Sequence, residues 1–134
     1  MEYNVPQNYR YTQDHEWVIR DDKNHNVVLV GITDYAQDTL GEIVHIEFPS
    51  ISDLYEKSSE IAVVESAKSA SEIYAPVTGT IFEINDTLDT SPEEINKSPY
   101  ENGWIFKIKL DDMDELDDLL TADGYIDYIN ELDR

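Results

Sequence analysis

Val64-Glu65-Ser66-Ala67-Lys68-Ser69-Ala70-Ser71-Glu72-Ile73-Tyr74-Ala75-Pro76 places one lysine among small residues, with apolar strand-like runs on both sides. The run Glu60-Ile61-Ala62-Val63-Val64-Glu65 leads in, and Glu72-Ile73-Tyr74 leads out before Pro76 breaks the pattern. If the two runs pair, Lys68 stands near the end of a hairpin. Ala67 and Ser69 leave its amine unobstructed while the strands hold its base. Such a lysine suits modification by another enzyme and suits a swinging arm. From the residues alone, an ordinary solvated lysine on a loop is the better account.

Working outward, short β-like runs dominate the first two thirds. Tyr11 to Ile19 and Val27-Val28-Leu29-Val30 flank a polar, turn-like stretch at 21–26. Thr33 or Asp34 caps a short helix through Leu40, and Gly41 stops it. Glu42 to Phe48 follows as a strand. Alternation sets Val44, Ile46 and Phe48 on one face and Ile43, His45 and Glu47 on the other. Gly41-Glu42-Ile43-Val44-His45-Ile46 also matches Gly79-Thr80-Ile81-Phe82-Glu83-Ile84 as Gly-x-Ile-apolar-x-Ile. Two related halves of a small β-sandwich would produce this faint repeat.

The last third is more helical. Ser91-Pro92-Glu93-Glu94 reads as an N-cap, a first-turn proline and a capping-box acid. Trp104 to Leu110 is strand-like. Met113, Leu116, Leu119 and Leu120 recur at helical spacing, followed by Tyr125, Ile126, Ile129 and Leu132. No low-complexity linker divides the chain. The expectation is one domain over 1–134, with a β core at about 27–85 and C-terminal helices at about 111–134.

Bulk properties narrow the function. Thirty acidic residues face nine basic ones, a formal charge of −21. That surface repels nucleic-acid phosphates and anionic lipid headgroups, and favours a partner with a basic patch. Solubility is the simpler use of the same charge. There is no cysteine, which excludes a disulfide scaffold, a thiolate metal site and a cysteine nucleophile. No apolar run approaches the ~20 residues that span a bilayer. The segment Met1 to Pro6 has neither a basic stretch nor an apolar core, so nothing in it suggests export.

The segment Glu65 to Pro76 resembles the lipoylation motif of glycine cleavage H proteins, Glu-Ser-x-Lys-x-x-Ser followed by an acid. His15-Glu16-Trp17 resembles that family's His-Glu-Trp. Gly31-Ile32-Thr33-Asp34-Tyr35-Ala36-Gln37 with Leu40-Gly41 resembles a second block. Ser91-Pro92, Asn96, Ser98-Pro99-Tyr100 and Gly103-Trp104 resemble a third. The resemblance runs through nearly the whole chain in consistent order. It departs at Ser58, where a turn glycine is usual, at His45, where an aromatic is usual, and at Tyr35, often His. Ser58 implies a slightly different turn.

The resemblance implies a mainly β fold, a barrel-sandwich hybrid of lipoyl/biotinyl type with short helices and a C-terminal helical extension. It implies lipoate in amide linkage on Lys68 of a bacterial, cytoplasmic, monomeric carrier with no catalysis of its own; a mitochondrial home would require a removed transit peptide. The partners implied are glycine decarboxylase, which loads an aminomethyl group, aminomethyltransferase, which removes it, dihydrolipoyl dehydrogenase, and a lipoate-attaching enzyme. The positions matching an arm-shielding cleft are Asp14, Glu16, Thr39 and Glu72. An H-like lipoyl relay without glycine decarboxylation is the alternative within the family.

Other classes fit less well. A biotin carrier usually has Met on both sides of its lysine, and a 2-oxoacid dehydrogenase lipoyl domain has Asp just before it. A hydrolase built on His15 or His45 lacks a Gly-x-Ser-x-Gly elbow, and three scattered histidines form no metal-ligand spacing. His45, alternating with exposed-type residues, reads as a surface histidine.

Overall fold

Nine strands, four α-helices and one 3-10 helix make up the computed structural model, which describes residues 2–132. The first residue of the N-terminal segment and the last two of the expected helical stretch 111–134 lie outside them. Six strands form the larger sheet. In spatial order they are β1 (Arg10–Tyr11), β2 (Glu16–Arg20), β3 (Val27–Ile32), β9 (Phe106–Leu110), β8 (Gly79–Ile84) and β5 (Leu54–Tyr55). The smaller sheet runs β4 (Ile43–Glu47), β6 (Glu60–Ser66), β7 (Ala70–Tyr74). All pairings are antiparallel among the described residues. The mainly β expectation holds, as two open sheets with short helices and a C-terminal helix.

Alternation along β2 builds two cores from one strand. Val18 enters an apolar cluster shared by both sheets, with Val28, Val30, Ile43, Ile46, Val64, Ile73, Ile81 and Ile108. Each such side chain contributes roughly 1.5–3 kcal/mol on burial. Trp17 points the other way, into an aromatic cluster with Tyr11, Tyr100 and Tyr125 under α4 (Ala122–Leu132). Opposite Trp17 stands Gly31. A Cβ there would meet the indole at 2.5 Å, so the ring occupies the space a side chain would fill. Glu16 shares its face of the strand with Val18, toward the smaller sheet.

Four local expectations are corrected. Strict alternation fails in β4. Ile43 and Ile46 are buried while Val44 is 50% exposed, because the ladder slips between Ile43 and His45. The slip sits at one position of the faint repeat, and β8 slips at the matching one, between Ile81 and Glu83. Ile81 is buried there and Phe82 is 42% exposed. The repeat therefore encodes a shared irregularity: a bulge that turns one apolar side chain outward in each strand. His45 is exposed, as read from sequence.

No capping box forms at Ser91. That residue ends α2 (Thr87–Thr90), and α3 (Glu94–Lys97) starts from Glu93 without a side-chain cap. Helical spacing from Met113 yields only a 3-10 helix, Met113–Asp118; Leu119 is extended, and Leu120 bridges to Tyr11. Finally, Ser58 adopts φ 74°. It takes the left-handed conformation a glycine would, so its own conformation absorbs the change expected of the turn. No described helix is long and apolar enough to cross a membrane.

Candidate functional site

The turn carrying Lys68 is braced by one side chain. Ser66 N donates to Ser69 O at 2.7 Å, closing the hairpin. Ser66 Oγ donates to Ser69 O at 3.1 Å and accepts the amides of Lys68 (3.3 Å) and Ser69 (3.1 Å). The hydroxyl thus satisfies backbone groups that a four-residue turn would leave open. Ala67 N donates to Glu42 O at 3.1 Å, tying the tip to the start of β4. Lys68 itself is exposed and makes no ion pair among the described residues.

The corner beneath the lysine is held from two sides. Thr33 caps α1 (Asp34–Leu40), its side chain accepting Ala36 N, and Gly41 ends the helix at φ 85°, ψ −158°. Asn96 then fixes that corner: its amide donates to Gln37 Oε1 and Gly41 O, both at 2.9 Å, and its Oδ1 accepts Ile43 N at 2.9 Å.

From the hairpin a cleft of about 210 Å³ opens, beginning at Ser71, three residues beyond Lys68. Its apolar wall is Ile32, Ala36, Leu40, Val64 and Ile73, with Tyr35 beside them. Its polar lining brings together all four residues singled out in the sequence: Asp14, Glu16, Thr39 and Glu72. They differ in burial. Glu16 is 1% exposed; Asp14, Thr39 and Glu72 are exposed. A second cavity, of about 300 Å³, shares Asp14 and Glu16 but is otherwise lined by Lys57, Pro76, Leu119 and others away from the hairpin strand.

Glu16 joins the two sheets. Its Oε2 accepts Tyr74 N of β7 at 2.9 Å, and its Oε1 accepts the Thr12 hydroxyl at 2.8 Å. No cation pairs with it among the described residues. Burial pushes its carboxyl up to about 7, against the opposing pull of those two hydrogen bonds. Nearby, the Tyr74 phenol is pushed up, first by the charge of Glu72, then by desolvation and by Glu60, Asp14 and Glu16. Asp14, Glu16 and Glu72 line one cleft, where a positive charge would be welcome.

The family model described as "Glycine cleavage H-protein" matches residues 9–132. The chain belongs to the glycine cleavage H-protein family. A glycine cleavage system H protein of Thermus thermophilus is 50% identical over 121 residues, covering 90% of this chain and 92% of that one. The Staphylococcus carnosus protein of that name is 48% identical over 127 residues, 95% of this chain and 98% of its own. A crystal structure of a glycine cleavage system H protein from Mycobacterium marinum aligns with TM-score 0.82 and 29% identity, over 97% of this chain and all of the other.

Sequence reading assigned neither of two further contributors to the cleft in this H-family chain, although His15 was named in the His-Glu-Trp segment. His15 sits at φ 70° beside the cleft, its ring 4.7 Å from that of Tyr35. Tyr125, more than a hundred residues later, reaches His15 Nδ1 at 2.8 Å and Thr33 Oγ1 at 2.7 Å. Only the apolar spacing of the last helix marked Tyr125, and that marked it as core.

Proposed function

We propose that this chain is the lipoylated carrier of the glycine cleavage system, with lipoate in amide linkage on Lys68 Nζ. When attached, the lipoyl group supplies dithiol–disulfide chemistry able to accept an aminomethyl group and release it. The chain's own residues place and protect it. Ser66 and Gly41 fix the base of the arm; the apolar wall from Ile32 to Ile73 takes its hydrocarbon.

The observation that carries the reading is Glu16: a buried carboxylate with no cation partner among the described residues, in a cleft that starts three residues from an exposed, braced lysine. A cationic amine brought there would find Glu16, with Asp14 and Glu72 at the mouth, and would favour the ionised carboxylate. Thr39 lines the helical side of the same cleft.

The chain performs no catalysis of its own. Glycine decarboxylase, aminomethyltransferase and dihydrolipoyl dehydrogenase do the chemistry, and a lipoate-attaching enzyme modifies Lys68. The whole of 1–134 acts as one carrier unit, monomeric and cytoplasmic. No cysteine exists to exchange with the arm.

The test has two steps. Intact mass after expression with lipoate and a lipoate ligase should rise by one lipoyl group, on the peptide containing Lys68. The modified protein should then accept an aminomethyl group from glycine and a glycine decarboxylase. Modification at Lys57, or persistence of the mass shift in Lys68→Ala, overturns the site. Lipoylation without loading by the decarboxylase overturns the function and leaves a lipoyl relay.

A further inference from the structure

One phenolic oxygen stands behind two walls of the cleft. The first wall is Asp14, His15 and Glu16 at the start of β2; the second is α1, with Tyr35, Ala36, Thr39 and Leu40. Thr33 N donates to His15 O at 3.0 Å, so the two walls meet at these residues. Tyr125 of α4 closes over that meeting point, its hydroxyl within hydrogen-bond distance of both His15 Nδ1 and Thr33 Oγ1.

Each contact bears on the cleft through a different constraint. Thr33 Oγ1 accepts Ala36 N and so starts α1. His15 has positive φ, a conformation that strains a non-glycine residue unless its surroundings hold it. The Tyr125 contact and the Tyr35 ring hold that imidazole. Glu16 is the next residue, so the His15 backbone sets where its side chain starts, while Tyr74 N and the Thr12 hydroxyl hold its carboxylate. Tyr125 is itself fixed: it is fully buried and its ring stacks on Tyr11 at 4.8 Å.

We propose that Tyr125 is a positioning residue of the cleft: through His15 and Thr33 its hydroxyl sets where Glu16 and α1 face a bound amine. The C-terminal helix then shapes the shelter without touching its contents. This inference rests on the carrier reading above. It makes Tyr125 matter through one oxygen atom, which separates it from ordinary core packing.

The experiment uses lipoylated protein loaded with an aminomethyl group, in which spontaneous release is timed, together with unmodified protein for NMR. Three variants are compared with the parent. Tyr125→Phe removes the oxygen and keeps the ring. Ile129→Val loosens the same helix by one methylene and leaves the oxygen in place. Glu16→Gln tests the shelter itself. Tyr125→Phe should speed release about fivefold, the weight of one neutral hydrogen bond. It should also shift the His15 ring nitrogen resonances in the unmodified protein and leave the lipoylation rate at Lys68 unchanged. Ile129→Val should change none of these.

Equal release from the parent and Glu16→Gln overturns the carrier's shelter. Faster release from Glu16→Gln with unchanged release from Tyr125→Phe overturns the positioning role alone. Equal acceleration by Ile129→Val also overturns it, since loosening of α4 would then suffice. If Tyr125→Phe does not fold, hydrogen exchange in the parent decides. The amides of Glu16 and Ala36 should open together with one free energy; independent openings overturn the proposal.

Discussion

Gly41 lies directly against the stem of Lys68: a Cβ placed on the glycine would come within 3.3 Å of the lysine Cε. The glycine backbone, at φ 85° and ψ −158°, occupies a region open essentially to glycine alone. Gly41→Ala should therefore cost about 1–3 kcal/mol. A urea titration measures this as a lower midpoint with an unchanged slope. The new methyl also crowds the lysine stem, so lipoylation of the folded variant should be slower. Parent-like stability would show that the corner relaxes without strain.

Ser58 makes the opposite case. It already sits at φ 74°, is exposed, and donates its amide to Ala75 O at 2.8 Å. Ser58→Gly should be neutral or stabilise by up to about 1 kcal/mol, because relief of strain outweighs the entropy glycine adds to the unfolded chain. Ser58→Val should destabilise by about 1–3 kcal/mol, since a β-branched side chain resists this conformation. Thermal melts of the two variants should bracket the parent. A more stable valine variant would contradict the left-handed turn.

The pH dependence of stability follows from Glu16. Its folded-state carboxyl, at about 7, lies above the ordinary 4.5. A raised value means the fold favours the protonated form. The contribution is complete below pH 4.5 and is lost as pH rises through 7. Between those limits the parent should lose up to about 1.4 kcal/mol per pH unit relative to Glu16→Gln, which has no proton to lose. Denaturant titrations of both proteins at about pH 5, 6, 7 and 8 would show the gap move against the parent; a constant gap refutes the shift. Loading the arm with an amine should shrink the slope, because the cation supports the ionised form.

Charge should set encounter rates. With 30 acidic and nine basic residues, association with the decarboxylase should slow as the Debye length shrinks from ~10 Å to ~3 Å. Dissociation should change less. Stopped-flow measurements across that salt range separate the two constants. An association rate indifferent to salt would leave the charge a solubility device only.

Where local chemistry decides, the sequence was readable. The apolar runs flanking Lys68 pair as the hairpin they suggested, and of the two cap candidates, Thr33 and Asp34, Thr33 starts α1 and Gly41 ends it, because caps are made by the residues themselves. Where a distant partner decides, the reading failed. The bulge at Val44 depends on how β4 meets β6, so alternation alone put Ile43 on the wrong face. Ser91 carried a cap's composition, yet the preceding helical turn had already used it as its end. Glu16, Thr39, Glu72 and Asp14 were named through family likeness, and the fold does bring them around one cleft. Composition could not have said that only Glu16 among them is buried, which depends on Tyr74 crossing from the other sheet. Nor could it link Tyr125 to His15 across 110 residues.

Among the described residues the two open sheets leave four edge strands, and each is a poor template for another chain. β1 and β5 are two residues long. β4 is bulged and shows His45 and Glu47 to solvent. On β7 the amide of Tyr74 is already given to the buried carboxylate of Glu16. Short, kinked and pre-engaged edges discourage strand-to-strand growth. The backbone edges should therefore discourage fibril formation alongside charge repulsion, and this part should persist at salt concentrations that screen the acidic surface.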